Sequence, residues 1–206
     1  MSSFGAALPR YVLVTDLAQV AESEMVARIR RAREPVVVLI RDKGLPREER
    51  RALASRLSAI ARPLGHALWI AEDVQLASEL ELDGVHLVSA SPVDAVAQAR
   101  RALPAGAWVN LACHSVEEAL SRVKGPLLGP QGRPDSLFLS PIFTSPGKGA
   151  PLGVGALSEL VSRLAEGASA DTATKLIALG GIDRETAPAC FQAGAAAVAA
   201  IRAELG

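Results

Sequence analysis

One pattern constrains this chain before anything else does: short apolar runs alternate with amphipathic segments, and the alternation repeats eight times. The first run is Tyr11-Val-Leu-Val-Thr15. It ends at Asp16, a residue type that caps helices, and helical periodicity follows from Leu17 to Arg33. Pro35-Val-Val-Val-Leu-Ile-Arg41 is the clearest strand. Its unbroken apolar character marks a strand buried on both faces, as in a parallel sheet. Further strands are expected at 67–71, 84–88, 107–112, 137–139, 174–179 and 195–201. The intervening helices fall at 45–64, 73–82, 92–103, 116–123, 155–165 and 184–192. The segment 124–135 is a Gly/Pro-rich connection.

Eight β/α units in about 200 residues describe a (β/α)8 TIM barrel at the small end of that fold, one domain over residues 1–206. The rival, an open doubly wound sheet, favours a glycine-rich phosphate loop after the first strand. Here that strand ends Val14-Thr15-Asp16-Leu17, and the glycine pair Gly180-Gly181 comes after the seventh. The chain stops soon after the eighth strand, so the eighth helix is expected to be short or missing. That would leave apolar outer surface near 195–201, coverable by the N-terminal segment or by a second copy in a homodimer.

Charge narrows the function classes. The 22 basic and 22 acidic side chains cancel, which argues against a general nucleic-acid binder. No apolar run approaches the ~20 residues of a membrane span, and no leader is evident, so a cytoplasmic protein is expected. The two cysteines, Cys113 and Cys190, are in no metal-ligand spacing.

In a barrel, the loops at the C-terminal strand ends carry the chemistry. Collecting their polar residues gives Arg41, Asp42 and Lys43, then Glu72 and Asp73, then His114, then Gly180 and Gly181. Arg41 and Lys43 share one face of their strand, and two cations facing inward are costly unless an anion meets them. Otherwise they are solvated charges at a strand end. Glu72 and Asp73 are either metal candidates or caps of the next helix. His114 alone among the histidines stands between a strand end and a helix, where it is either a general acid/base or a cap. His66 and His86 read as structural. Residues 136–153 form a Pro/Gly/Ser/Thr-rich loop around Lys148. Thr144, Ser145 and Lys148 are suited to closing over an anion, with Gly180 and Gly181 supplying backbone N–H groups.

These pieces, in order, resemble the thiamine phosphate synthases and their thiazole tautomerase branch, TenI. The matching residues are Tyr-x-x-Val-Thr-Asp at 11–16, Arg-x-Lys at 41–43, Asp-Gly-Val-His-Leu at 83–87 and His-Ser-x-Glu-Glu-Ala at 114–119. Ser-Pro-Ile-Phe from 140 with Lys148, Ala-Leu-Gly-Gly-Ile at 178–182 and Gly-Ala-Ala-Ala-Val-Ala at 194–199 complete the series. The resemblance implies a barrel that binds thiazole phosphate or pyrophosphate. It also implies magnesium if the chain is a synthase, and no cofactor if it is a tautomerase. The departures favour the second, with a barrel that only binds a phosphorylated ligand, without catalysis, as a further alternative. Leu39 stands where the synthases have Gln, Ala71 and Glu72 where they have Asn-Asp, and Ser91 where they carry a second metal-binding Asp. Ala112 replaces a Ser two residues before His114. What remains is the anion machinery of Arg41, Lys43, Lys148, Gly180 and Gly181, plus His114, which matches the proton-transfer histidine of the tautomerases.

Overall fold

A computed structural model describes residues 7–125, 130–166 and 174–203. Eight parallel strands close on themselves in sequence order: β1 (Tyr11–Val14), β2 (Val37–Ile40), β3 (Ala67–Ala71), β4 (Gly84–Leu87), β5 (Trp108–Cys113), β6 (Ser136–Leu139), β7 (Lys175–Leu179) and β8 (Ala197–Ala200). Closure is direct, with β1 pairing both β2 (Val12 opposite Val37) and β8 (Tyr11 opposite Val198). A helix follows each of the first seven strands: α1 (Glu22–Arg31), α2 (Arg47–Ala61), α3 (Val74–Glu79), α4 (Ala95–Ala102), α5 (Val116–Lys124), α6 (Gly153–Ala165) and α7 (Ala187–Gln192).

The strands are apolar throughout because each packs on two sides. One set of alternate residues, including Val12, Val37, Leu39, Trp69, Phe138 and Ile177, fills the barrel. The other set, including Leu13, Val38, Ile40, Leu68 and Val85, meets helix residues such as Met25, Ile29, Leu53 and Leu57. Inside, Trp69 stacks on Trp108 with ring centroids 5.9 Å apart and meets the Phe138 ring edge-on at 6.3 Å. Gly84 is required there, since a Cβ would lie 2.6 Å from the Trp108 carbonyl oxygen and 2.8 Å from the Trp69 ring. Near the strand starts, carboxylates tie neighbours together. Asp83 accepts the Leu68 N–H at 2.9 Å and Asp135 the Val109 N–H at 2.7 Å. Toward the C-terminal ends the inward positions shrink to Ala71, Ala112 and Ala199, so the aromatic plug gives way to an open mouth.

Several helices start later than their periodicity predicts. α1 begins at Glu22 rather than Leu17, because the Asp16 carbonyl takes the N–H groups of Gln19 and Val20 in a tight turn. α2 ends at Ala61, where a 3-10 turn (Arg62–Leu64) leads into Gly65 at φ 76°. The described residues after β8, 201–203, are not helical, as expected for a short or missing eighth helix; the rest of that expectation lies outside the described residues.

The expected apolar exposure near β8 is not found. Val198 and Ala200 are 0% and 6% exposed. Ile201 and Ala203 fold back on the core, and Arg28 of α1 reaches across to the Ile201 carbonyl at 3.0 Å. A cavity of about 800 Å3 lies beside them between α1 and α7, with a floor that includes Tyr11, Leu13 and Phe191, away from the mouth.

Candidate active site

Strand alternation carries Asp16, Arg41, His86, His114 and Ser140 to the inward face at or just beyond the strand ends. His114 is the most firmly held of the catalytic candidates. Its backbone N–H donates to Glu118 Oε2 at 2.7 Å, while Ser115 caps α5 by accepting the Glu118 N–H at 3.0 Å. The imidazole Nδ1 lies 2.9 Å from the Ser140 carbonyl oxygen. A carbonyl only accepts, so Nδ1 carries the hydrogen, and Nε2 is left as an open acceptor with no partner among the described residues. Cys113, next to it, is not a competing nucleophile. Burial, and then the Glu118 charge, push its thiol up to about 12.

His86 points into the barrel from β4. It is 8% exposed, its ring lies 4.4 Å from the Phe138 ring, and its Nδ1 has no partner among the described residues. Burial, with the nearby charges of Lys43 and Arg41, lowers its pKa to about 3, so it is neutral at any working pH. The alternation Gly84, His86, Val88 already placed it inward; the apolar run around it hid the signal.

The two inward cations at the end of β2 each have a carboxylate partner within the protein. Arg41 pairs with Asp16 at 3.2 Å and Lys43 with Glu72 at 3.0 Å. The loops after β1 and β3 turn back toward the mouth, a juxtaposition that strand order alone does not reveal. Asp42 is structural: buried, it accepts the Thr15 hydroxyl and the Leu17 N–H.

The magnesium implied by the synthases does not fit these residues. Glu72 is held by Lys43, in a backbone conformation (φ 66°) that non-glycine residues rarely adopt. Asp73 caps α3, accepting the Leu76 N–H at 2.8 Å, and pairs with Arg47 at 3.1 Å. Arg50 donates to the Ala71 carbonyl, and Arg122 donates to the carbonyls of Ser89 and Ser91 at 2.6 and 2.8 Å. Guanidinium groups thus occupy the ends of β3 and β4, and no group of three His, Cys, Asp or Glu among the described residues is arranged to hold a metal.

The anion candidates gather elsewhere in the mouth. Thr144, Ser145, Lys148, Gly180, Gly181 and Arg41 line one cavity of about 470 Å3. The β6 loop is pinned over the end of β7: Ile142 N–H donates to Leu179 O at 3.0 Å and Phe143 N–H to Gly180 O at 2.9 Å. That docking demands the glycines. Gly180 (φ 99°) would place a Cβ 2.9 Å from Pro141, and Gly181 (φ 65°) would place one 2.6 Å from the Thr144 carbonyl oxygen. The N–H groups of Gly181 and Ile182 have no partner among the described residues and remain available to an anion. His114 and Lys43 do not line this cavity, so Arg41 is the candidate common to it and to the inward group around His86. Gln19, Asp183 and Arg202, which sequence reasoning did not single out, line it as well.

A profile of the family described as thiamine monophosphate synthase matches residues 11–203. The chain belongs to the thiamine monophosphate synthase family. It is 30% identical over 196 residues to a putative thiamine-phosphate synthase of Geobacter sulfurreducens, covering 93% of this chain and 84% of the relative. It is 30% identical over 197 residues to the putative thiamine-phosphate synthase 2 of Aquifex aeolicus, covering 94% of this chain and 96% of that one. The fold is shared with a thiamine phosphate pyrophosphorylase of Pyrococcus furiosus. The TM-score is 0.72 at 19% identity, over 93% of this chain and 85% of the other. No helix among the described residues of this family member is long and apolar enough to cross a membrane.

Proposed function

We propose that this family member binds a thiazole phosphate, or a similar phosphorylated heterocycle, and moves a proton within it without a metal. The observation that carries the reading is the His114–Ser140 contact, which leaves Nε2 as the basic atom at the barrel mouth. The ligand's phosphate sits among Lys148, Thr144, Ser145 and the N–H groups beside Gly180 and Gly181, and its ring extends toward His114. Nε2 takes the proton from one ring position. The imidazolium so formed is held through Nδ1–H by the Ser140 carbonyl, and the proton returns to a second position on the same ligand. Nothing leaves and nothing is oxidised, so the step needs neither a metal nor a second substrate.

A second reading is favoured by the relatives' names: synthesis of thiamine phosphate from a pyrimidine pyrophosphate and a thiazole phosphate, with magnesium assisting the release of pyrophosphate. One experiment separates the two. Thiazole phosphate is incubated with the protein in deuterated buffer, with and without magnesium, and ring-proton exchange is followed by NMR. Exchange without metal supports the tautomerase reading. Turnover appearing only with the pyrimidine pyrophosphate and magnesium overturns it in favour of the synthase.

A further inference from the structure

Of the charged side chains in the cavity beside Gly180 and Gly181, two, Asp183 and Arg202, were signalled by no sequence motif. Arg202 follows β8, is exposed, and makes no ion pair or side-chain hydrogen bond among the described residues. Its backbone is nonetheless anchored, since the preceding carbonyl, that of Ile201, accepts from Arg28 at 3.0 Å and Ala203 packs on the core. The other charges are accounted for. Arg41 is neutralised by Asp16. Asp183 is turned toward the start of α7, accepting the N–H groups of Glu185 and Thr186 at 3.0 and 2.9 Å and the Thr186 hydroxyl at 2.8 Å. Two of the cavity's cations have no carboxylate partner among the described residues, Lys148 from the β6 loop and Arg202 from the end of β8. Because β7 lies between β6 and β8 in the barrel, these two flank the glycine pair that ends β7.

We infer that Arg202 completes an anion site with Lys148 and the Gly181 and Ile182 N–H groups, and that this site takes the terminal phosphate of a phosphate monoester. A guanidinium presents two parallel donors that match two phosphate oxygens, whereas Lys148 offers a single point charge. Together they provide two fixed positive charges for a group that carries close to two negative ones at neutral pH. The inference rests on the phosphate reading of this cavity.

The test is calorimetric titration with inorganic phosphate near neutral pH, on wild type and three variants: Arg202→Gln, Arg202→Lys and Arg33→Gln. Arg33 is a control, an arginine of the distant α1–α7 cavity. Arg202→Gln is expected to weaken phosphate binding roughly ten- to a hundredfold, the loss of one charge-assisted contact. Arg202→Lys is expected to recover part of that loss, and Arg33→Gln to match wild type. Thermal melts establish that the exposed substitutions leave the fold intact. If wild type binds phosphate and Arg202→Gln binds it equally well, the role of Arg202 is overturned while the phosphate site stands. If Arg33→Gln loses as much as Arg202→Gln, the effect is general charge and the inference again fails. If wild type binds no phosphate, the reading of the cavity and the inference fall together.

Discussion

The carbonyl of Ser140 fixes the tautomer of His114: the 2.9 Å contact at Nδ1 makes that nitrogen the donor and leaves Nε2 as base. A general acid/base typically contributes about 10²–10⁴-fold in rate. His114→Asn is therefore expected to remove most proton exchange on thiazole phosphate while leaving affinity within a few-fold. Exchange measured by NMR in deuterated buffer checks this, and a variant exchanging at the wild-type rate sinks the assignment.

Lys148 is exposed, and its side chain has no partner among the described residues. Lys148→Ala is expected to weaken phosphate-ligand binding by roughly 1.5–3 kcal/mol, about ten- to a hundredfold. Unchanged affinity by calorimetry would show that the lysine is only a solvated charge.

Magnesium is expected to leave pyrophosphate affinity unchanged, because Lys43 holds Glu72 and Arg47 holds Asp73. Titrations with and without the metal decide this. A large metal-dependent gain would revive the synthase reading.

His86 predicts acid lability. Its pKa falls from 6.5 in the unfolded chain to about 3 in the fold. The unfolded state therefore binds a proton that the native state refuses throughout that interval. The stability contribution is complete above about pH 6.5 and is lost as pH falls toward 3, on the order of a few kcal/mol. His66, whose Nδ1 accepts the Val36 N–H and whose Nε2–H donates to the Ile29 carbonyl, is lowered by burial and adds in the same direction. Denaturant melts near pH 7.5 and near pH 5 should separate more in wild type than in His86→Phe. Equal separations would count against His86.

Gly181→Ala is expected to retract the β6 loop, since the new Cβ would meet the Thr144 carbonyl oxygen at 2.6 Å from a left-handed backbone. The conformational cost alone is roughly 1–2 kcal/mol. Thermal melting should drop and phosphate affinity should fall with it. Retained affinity would mean that Thr144, Ser145 and Lys148 are not needed where they stand.

The sequence by itself determined the barrel. Runs such as Val36 to Ile40 are apolar on both faces, the pattern of a parallel sheet covered on both sides, and the number of units with the late glycine pair favoured the barrel over an open sheet. It also brought His114, Lys148 and the glycine pair to notice, because strand-end position and residue type are local properties. What only the tertiary structure decided is which charges face one another. Lys43 and Glu72, or Arg41 and Asp16, lie on different strand ends, and their pairing depends on how two loops fold over the mouth. Asp73 and Asp183 look alike in sequence as acids after strands, yet Asp73 caps α3 while Asp183 closes the turn ahead of α7. The inward face of His86 was legible from alternation, but its lost basicity was not, since that comes from burial beneath two cations. Arg202 stayed hidden for the same reason: closing the barrel brings β8 beside β7, and that non-local pairing puts Arg202 in one cavity with the glycines of another strand.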